Sequence, residues 1–144
     1  MKIERHGSAR WCGSFLGGSG SLSSDSGAID DHYYSAASRF GRLVGSNPEE
    51  LLAAAHAGCF NMVLASVLAE ASLVATKLHT AATVTLEQQY GKIVITKVHL
   101  ELLAKVPSVN VEAFRKFARV ARGKCPLTRL LNVEVTLDIG IVND

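Results

Sequence analysis

Cysteine occurs only three times in the 144 residues, and charged residues make up only 19% of the chain. So few thiols exclude a scaffold built on disulfides. Fifteen Lys and Arg against thirteen Asp and Glu leave a formal charge of +2, without the concentrated basic surface of a nucleic-acid binder. The start, Met1-Lys2-Ile3-Glu4-Arg5-His6-Gly7, lacks the apolar core of a secretory signal, so the expected compartment is the reducing cytoplasm. Phosphate-loop signatures are missing as well: the Gly/Ser-rich residues 13–27 have neither a Gly-Lys-Ser/Thr ending nor GxGxxG spacing. What the chain does have is apolar substance, 48% hydrophobic residues, which excludes disorder and suits one domain over residues 1–144 with a proper core.

Residues 51–69 run nineteen positions without a charge, near the length of a membrane span. The run is rich in Ala and carries His56, Asn61 and Ser66, which lipid tolerates poorly, and the remainder alternates as in a soluble protein, so no span is expected. Instead it is the body of a long helix. Asn47 suits the N-cap, Pro48 the first helical position, and Glu49 and Glu50 the positive dipole end, which predicts a helix from 47 to about 72. Being apolar nearly all round, that helix should be buried on most sides, and a second subunit is the economical way to cover it.

The flanking pattern is that of strands. Residues 13–27 supply turns of an N-terminal meander whose strands include Ala9, Trp11 and Leu22. Residues 32–46 follow neither the helical nor the strand period and form the longest irregular connection, a place where function concentrates. Ala82, Val84 and Leu86, then Val98, Leu100 and Leu102, alternate with polar residues around a turn at Gln89-Tyr90-Gly91-Lys92, which is an antiparallel hairpin. A second helix over 111–122 has Phe114, Phe117, Ala118 and Ala121 on one face and Arg115, Lys116, Arg119 and Arg122 on the other, a solvated face rather than a nucleic-acid surface. Gly123 ends it, Cys125-Pro126 starts a short helix, and Val133, Val135, Leu137 and Ile139 mark a last strand. The class is α+β: antiparallel sheets packed on a long central helix and a shorter one.

Cys59 falls mid-helix, next to Gly58, whose cost of about 0.5–1 kcal/mol implies close approach of another backbone or a ligand. Cys125 falls at the N-cap of the short helix, where dipole and free N–H groups favour a thiolate. Cys12, between Trp11 and Gly13, has no such context and is structural. The two remaining thiols admit a redox couple, a metal site or two packed core residues. His56 lies one turn before Cys59, where it would serve as a ligand, as a base for the nucleophile or as a core histidine; a fourth metal ligand is missing, and no metal or other cofactor is expected.

Ser38-Arg39-Phe40, then Asn47-Pro48-Glu49-Glu50-Leu51-Leu52-Ala53-Ala54-Ala55-His56-Ala57-Gly58-Cys59-Phe60, then Ala121-Arg122-Gly123-Lys124-Cys125-Pro126-Leu127, resemble the OsmC/Ohr family of thiol-dependent hydroperoxide reductases. The likeness spans essentially the whole chain, and the position of Arg39 just before the long helix looks like the OsmC branch. It implies an intertwined homodimer with active sites at the interface, Cys59 as the peroxide-attacking thiol, Cys125 as the resolving thiol, and Arg39 with Glu49 as the pair that lowers the nucleophile's pKa and orients the peroxide. The implied reaction reduces organic hydroperoxides, and H₂O₂ secondarily, in oxidative or osmotic stress defence, with an external dithiol (a dihydrolipoyl protein or a small thiol) as reductant. A redox sensor or ligand-binding protein on the same fold is the alternative. Glu49 lies ten residues before Cys59, about 15 Å along a straight helix, so it must act through Arg39 or across two subunits; Glu50 is the other candidate for its role. Phe40, Phe60 and Met62 are the candidate lining of an apolar substrate pocket.

Overall fold

The computed structural model describes residues 1–142. These divide into two compact units, residues 1–51 and the chain from Leu52 onward.

The first unit is a meander of β1 (Gly7–Cys12), β2 (Ser19–Ser24) and β3 (His32–Ser35), followed by the short helix α1 (Ala36–Phe40). Neighbouring strands are antiparallel, and Trp11, Gly20 and Tyr34 lie side by side in the register. The Trp11 and Tyr34 rings meet with centroids 5.3 Å apart. Gly20 is required between them, because a Cβ there would stand 2.0 Å from the Arg10 carbonyl and 2.6 Å from the Tyr34 ring. Part of the Gly/Ser run is thus itself a strand, β2. Nor is the stretch 32–46 irregular throughout, since it contains β3 and α1. A capping box defines the start of α1: Ser38 N donates to Ser35 Oγ at 3.1 Å and Ser35 N donates to Ser38 Oγ at 2.9 Å. With only five residues, α1 is too short to display a period.

Helix α2 (Pro48–Glu70) begins as the sequence predicts, with Glu50 N donating to Asn47 Oδ1 at 2.9 Å. In the second unit, its Phe60, Leu64, Val67 and Leu68 join Val98, Leu100 and Leu102 of a sheet and Phe114, Ala118 and Ala121 of another helix in one buried cluster. That sheet is β4 (Lys77–Gln89), β5 (Lys92–Lys105) and β6 (Glu134–Ile141). The other helix is α3 (Val111–Lys124), which runs through Gly123 instead of ending there, and α4 (Pro126–Leu130) follows it. The class is α+β, but the second sheet is mixed: β4 pairs antiparallel with β5, and β6 pairs parallel with β5. Alternation in β6 specified its buried face and not its direction. The connection through α3 and α4 is long enough to return the chain to the starting end of the sheet, as a parallel pair requires.

By length and composition α2 is the one helix among the described residues able to cross a membrane. Here it is a core helix with one side uncovered. Ala54, Ala55, Gly58, Met62, Ala65 and Ala69 stay exposed, because the sheet and α3 cover only the side that carries Phe60, Leu64 and Leu68. The expectation of burial on most sides is therefore not met within a single chain.

The β4–β5 turn places Tyr90 at φ 50° and Gly91 at φ 76°, the left-handed pair of a type I′ hairpin that favours Asn-Gly. Tyr90 is fully exposed, so its ring offers no packing in return for the strained backbone. Tyr90→Asn should stabilise the fold by roughly 0.5–1 kcal/mol, read as a raised urea midpoint with unchanged denaturant slope.

Candidate active site

Two groups of polar side chains emerge, one in each unit. In the second, Cys59 is half-buried on α2 and Cys125 is fully buried at the junction of α3 and α4. Pro126 disfavours helical backbone at the residue before it, and Cys125 accordingly leaves the helix at φ −61°, ψ 120°. Its backbone is tied on both sides: its N–H donates to Ala121 O at 2.9 Å, and its carbonyl accepts from Arg129 N at 3.1 Å. So held, the Cys125 thiol lies 3.4 Å from Cys59 Sγ. A disulfide needs about 2.05 Å, so a sulfur shift of little more than ~1.3 Å would close the bond. Cys12, at the end of β1, is exposed and unbonded.

Burial pushes the Cys59 thiol above its ordinary range, the Leu127 N–H in the first turn of α4 pulls it back, and the Cys125 thiol pushes it up again. The net upward direction matters, because only the thiolate attacks; a cation is needed to reverse it.

His56, one turn before Cys59 on α2, is completely buried. Its Nε2 hydrogen-bonds the Thr128 hydroxyl of α4 at 2.8 Å, while Nδ1 has no partner among the described residues. Burial lowers its pKa. His56 hydrogen-bonds neither thiol, and among the described residues no three His, Cys, Asp or Glu side chains gather as a metal site would require.

The first unit holds the ion pair. Arg39, in the last turn of α1, forks onto Glu49: Nε donates to Oε1 at 3.1 Å and Oε2 at 3.2 Å, and Nη2 donates to Oε1 at 2.6 Å. Glu49 is buried and Arg39 one-third exposed, so the carboxylate fixes the guanidinium plane rather than competing with water for it. Glu50 is exposed and accepts instead from Ser46 Oγ at 2.9 Å. Ser38 Oγ donates to Ser46 O at 2.9 Å, which braces α1 against the loop leading to α2.

Beside Arg39 opens a cavity of about 200 Å³ lined by Trp11, Phe15, Tyr34, Ala36, Phe40 and Pro48, among others. The guanidinium carbon stands 4.9 Å from the Phe40 ring centre. Of the three expected lining residues, Phe40 lines this cavity. Phe60 points into the core with Leu64 and Leu68, one and two helical turns on, and Met62 is exposed on the uncovered side of α2. Sequence reasoning missed Trp11, Phe15 and Tyr34 as lining; the one available signal was Gly20, whose lack of a side chain admits the Tyr34 ring. Thr128 and Leu127 gave no signal.

An α+β fold with two reduced thiols in contact, together with an arginine–carboxylate fork at an aromatic-lined cavity, defines a dithiol redox protein. Residues 41–140 match the OsmC-like protein family model. The chain is 37% identical over 138 residues to the peroxiredoxin OsmC of Escherichia coli, with 96% of each chain covered. It is 30% identical over 102 residues to an organic hydroperoxide resistance protein-like protein of Staphylococcus saprophyticus, covering 69% of this chain and 72% of that one. A solved OsmC-like protein from Vibrio cholerae superposes with a TM-score of 0.77 at 18% identity, covering 96% of this chain and 99% of that one. The organic hydroperoxide resistance protein OhrB of Bacillus subtilis superposes with a TM-score of 0.69 at 23% identity, with 97% and 98% covered. The chain belongs to the OsmC family.

The buried imidazole makes stability pH-dependent. With the folded pKa of His56 held below its ordinary 6.5, the unfolded chain binds more protons below that pH, so this contribution is complete above 6.5 and shrinks as pH falls. The urea midpoint should drop between about pH 7.5 and about pH 5, and His56→Gln should flatten part of that decline.

Proposed function

We propose that this protein is a thiol-dependent peroxidase that reduces organic hydroperoxides to alcohols in oxidative or osmotic stress defence. The observation that carries the reading is the 3.4 Å contact between the reduced Cys59 and Cys125 sulfurs. The Cys59 thiolate attacks the outer oxygen of ROOH, the O–O bond breaks, and RO⁻ leaves to take up a proton, giving the alcohol and a Cys59 sulfenic acid. Cys125 sulfur then attacks Cys59 sulfur; the S–O bond breaks, and the hydroxide departs as water with the Cys125 proton. An external dithiol, a dihydrolipoyl protein or a small thiol, takes the disulfide back to two thiols by exchange.

The guanidinium of Arg39 is the group that keeps Cys59 ionised and stabilises the departing alkoxide. Arginine remains charged when desolvated, and the Glu49 fork engages Nε and Nη2, leaving Nη1 to meet a peroxide oxygen. The aromatic cavity beside it suits an alkyl or aryl tail, so organic hydroperoxides are preferred over H₂O₂. A homodimer is the functional unit. Gly58 sits mid-helix on the uncovered side of α2, and apart from its chain neighbours and the helix's own backbone nothing among the described residues lies within 4 Å of where a Cβ would stand; its helix cost of roughly 0.5–1 kcal/mol is accounted for by a second copy approaching there.

With one equivalent of cumene hydroperoxide, mass spectrometry should find two hydrogens lost at a Cys59–Cys125 bridge and Cys12 still alkylatable. Cys59→Ser should abolish turnover, and Cys12→Ser should leave it intact. A Cys59→Ser protein that still consumed peroxide with dithiol would overturn the assignment. Arg39→Gln should lower kcat/KM at neutral pH on the order of 10²-fold and move the pH–rate profile to higher pH, since the upward push of burial on Cys59 is then uncompensated.

A further inference from the structure

We propose that His56 is a positioning residue for the second half of the cycle: through the Thr128 hydroxyl it holds the short helix that begins at Cys125 against the helix that carries Cys59. The inference rests on the peroxidase reading above. Three observations converge on it. Helix α4 has five residues, none fully buried, and no side-chain cap at Cys125, so little of its own structure fixes where it lies. It nevertheless supplies both groups that meet Cys59, the Cys125 thiol at its N-cap and the Leu127 N–H in its first turn. Away from Cys59 itself, α4 is tied to α2 by the hydrogen bond between His56 Nε2 and Thr128 Oγ1, 2.8 Å long, made by a ring with no exposed surface.

A completely buried imidazole with an orphaned Nδ1 is a costly way to fill a core position, and an apolar residue of similar size would avoid the cost. What an apolar residue could not do is hydrogen-bond the hydroxyl of the helix whose N-cap sulfur stands 3.4 Å from Cys59 Sγ. The tie contributes nothing to breaking the O–O bond. It acts when Cys125 sulfur must reach the sulfenic acid before a second peroxide does, a step governed by proximity.

Reduced full-length protein is mixed with one equivalent of cumene hydroperoxide, acid-quenched over time and weighed intact, which separates Cys59 oxidation (one oxygen gained) from disulfide closure (two hydrogens lost). Thr128→Val should leave the first step near the parental rate and slow the second about tenfold, the effect of one buried hydrogen bond. In excess peroxide it should accumulate the sulfinic acid (two oxygens gained). Thr128→Ser, which keeps the hydroxyl, and His56→Gln, whose amide nitrogen can replace Nε2, should close near the parental rate. Thr128→Ala replaces Thr128→Val if the latter loses cooperative unfolding. The proposal fails if removal of the hydroxyl leaves closure unchanged, or slows both steps equally as a general loosening would. Closure by diamide, which oxidises the pair without peroxide, is followed in parallel. It tests the tie even if the parent chain does not react with the hydroperoxide, an outcome that would count against the peroxidase reading alone.

Discussion

A sulfur that must carry negative charge in apolar surroundings is the constraint around which the rest is arranged. Cys59 lies on a helix whose neighbouring residues fill a hydrocarbon core, and burial drives its thiol toward the neutral, unreactive form. Exposing it fully to water would restore ionisation at the expense of the packing around it. Fixed dipoles and a permanently charged cation are the means of resolving such a conflict, since both favour the thiolate without admitting solvent. The Leu127 N–H is one such dipole. In the proposal above that cation is the Arg39 guanidinium, held rigid by a buried carboxylate. Glu49 cancels part of its charge but fixes the plane in which the remaining N–H groups point. For a transition state in which charge moves from sulfur to an oxygen a few ångströms away, direction counts as much as net charge.

The parts of the fold that were legible in the sequence are those with a local signal. The Asn47-Pro48-Glu49-Glu50 start of α2, the apolar face of α3 and the β4–β5 turn follow from capping chemistry and periodicity, which act within a few residues. The direction of β6 carried no local signal, because alternation of Val135, Leu137 and Ile139 is the same for either pairing; the length of the crossover decides it. Strand β2 lies within a Gly/Ser run whose composition reads as turns, and its pairing comes from its neighbours Trp11 and Tyr34. Of the site, the identities of the two thiols and of the Arg39–Glu49 pair rested on family resemblance. The cavity lining did not, because Trp11, Phe15, Tyr34 and Phe40 are brought together by strand register and an aromatic contact. His56 and Thr128 are 72 residues apart, and nothing local in either segment announces the bond.

The placement of the second thiol can be argued from the same physics. In a C-x-x-C motif both sulfurs share one helix start and its dipole. Here they sit on different elements, and the pair is assembled by packing. That arrangement leaves Cys59 half-buried on the long helix while the fully buried Cys125 opens a short helix with little buried surface of its own. Leu127 and Leu131 pack against the core only in part, so α4 can shift by the small distance that separates two thiols in contact from a disulfide without disrupting the central cluster of Phe60, Leu64, Leu100 and Phe114. The backbone bonds of Cys125 to Ala121 and Arg129 keep that shift a movement of the helix end, and the Pro126 ring keeps the residue out of the helical conformation in which α3 would simply continue. In the proposed cycle, a disulfide that must form and be reduced in every turnover calls for such a compromise: an element anchored closely enough that closure outruns a second oxidation, and lightly enough that neither redox state strains the core.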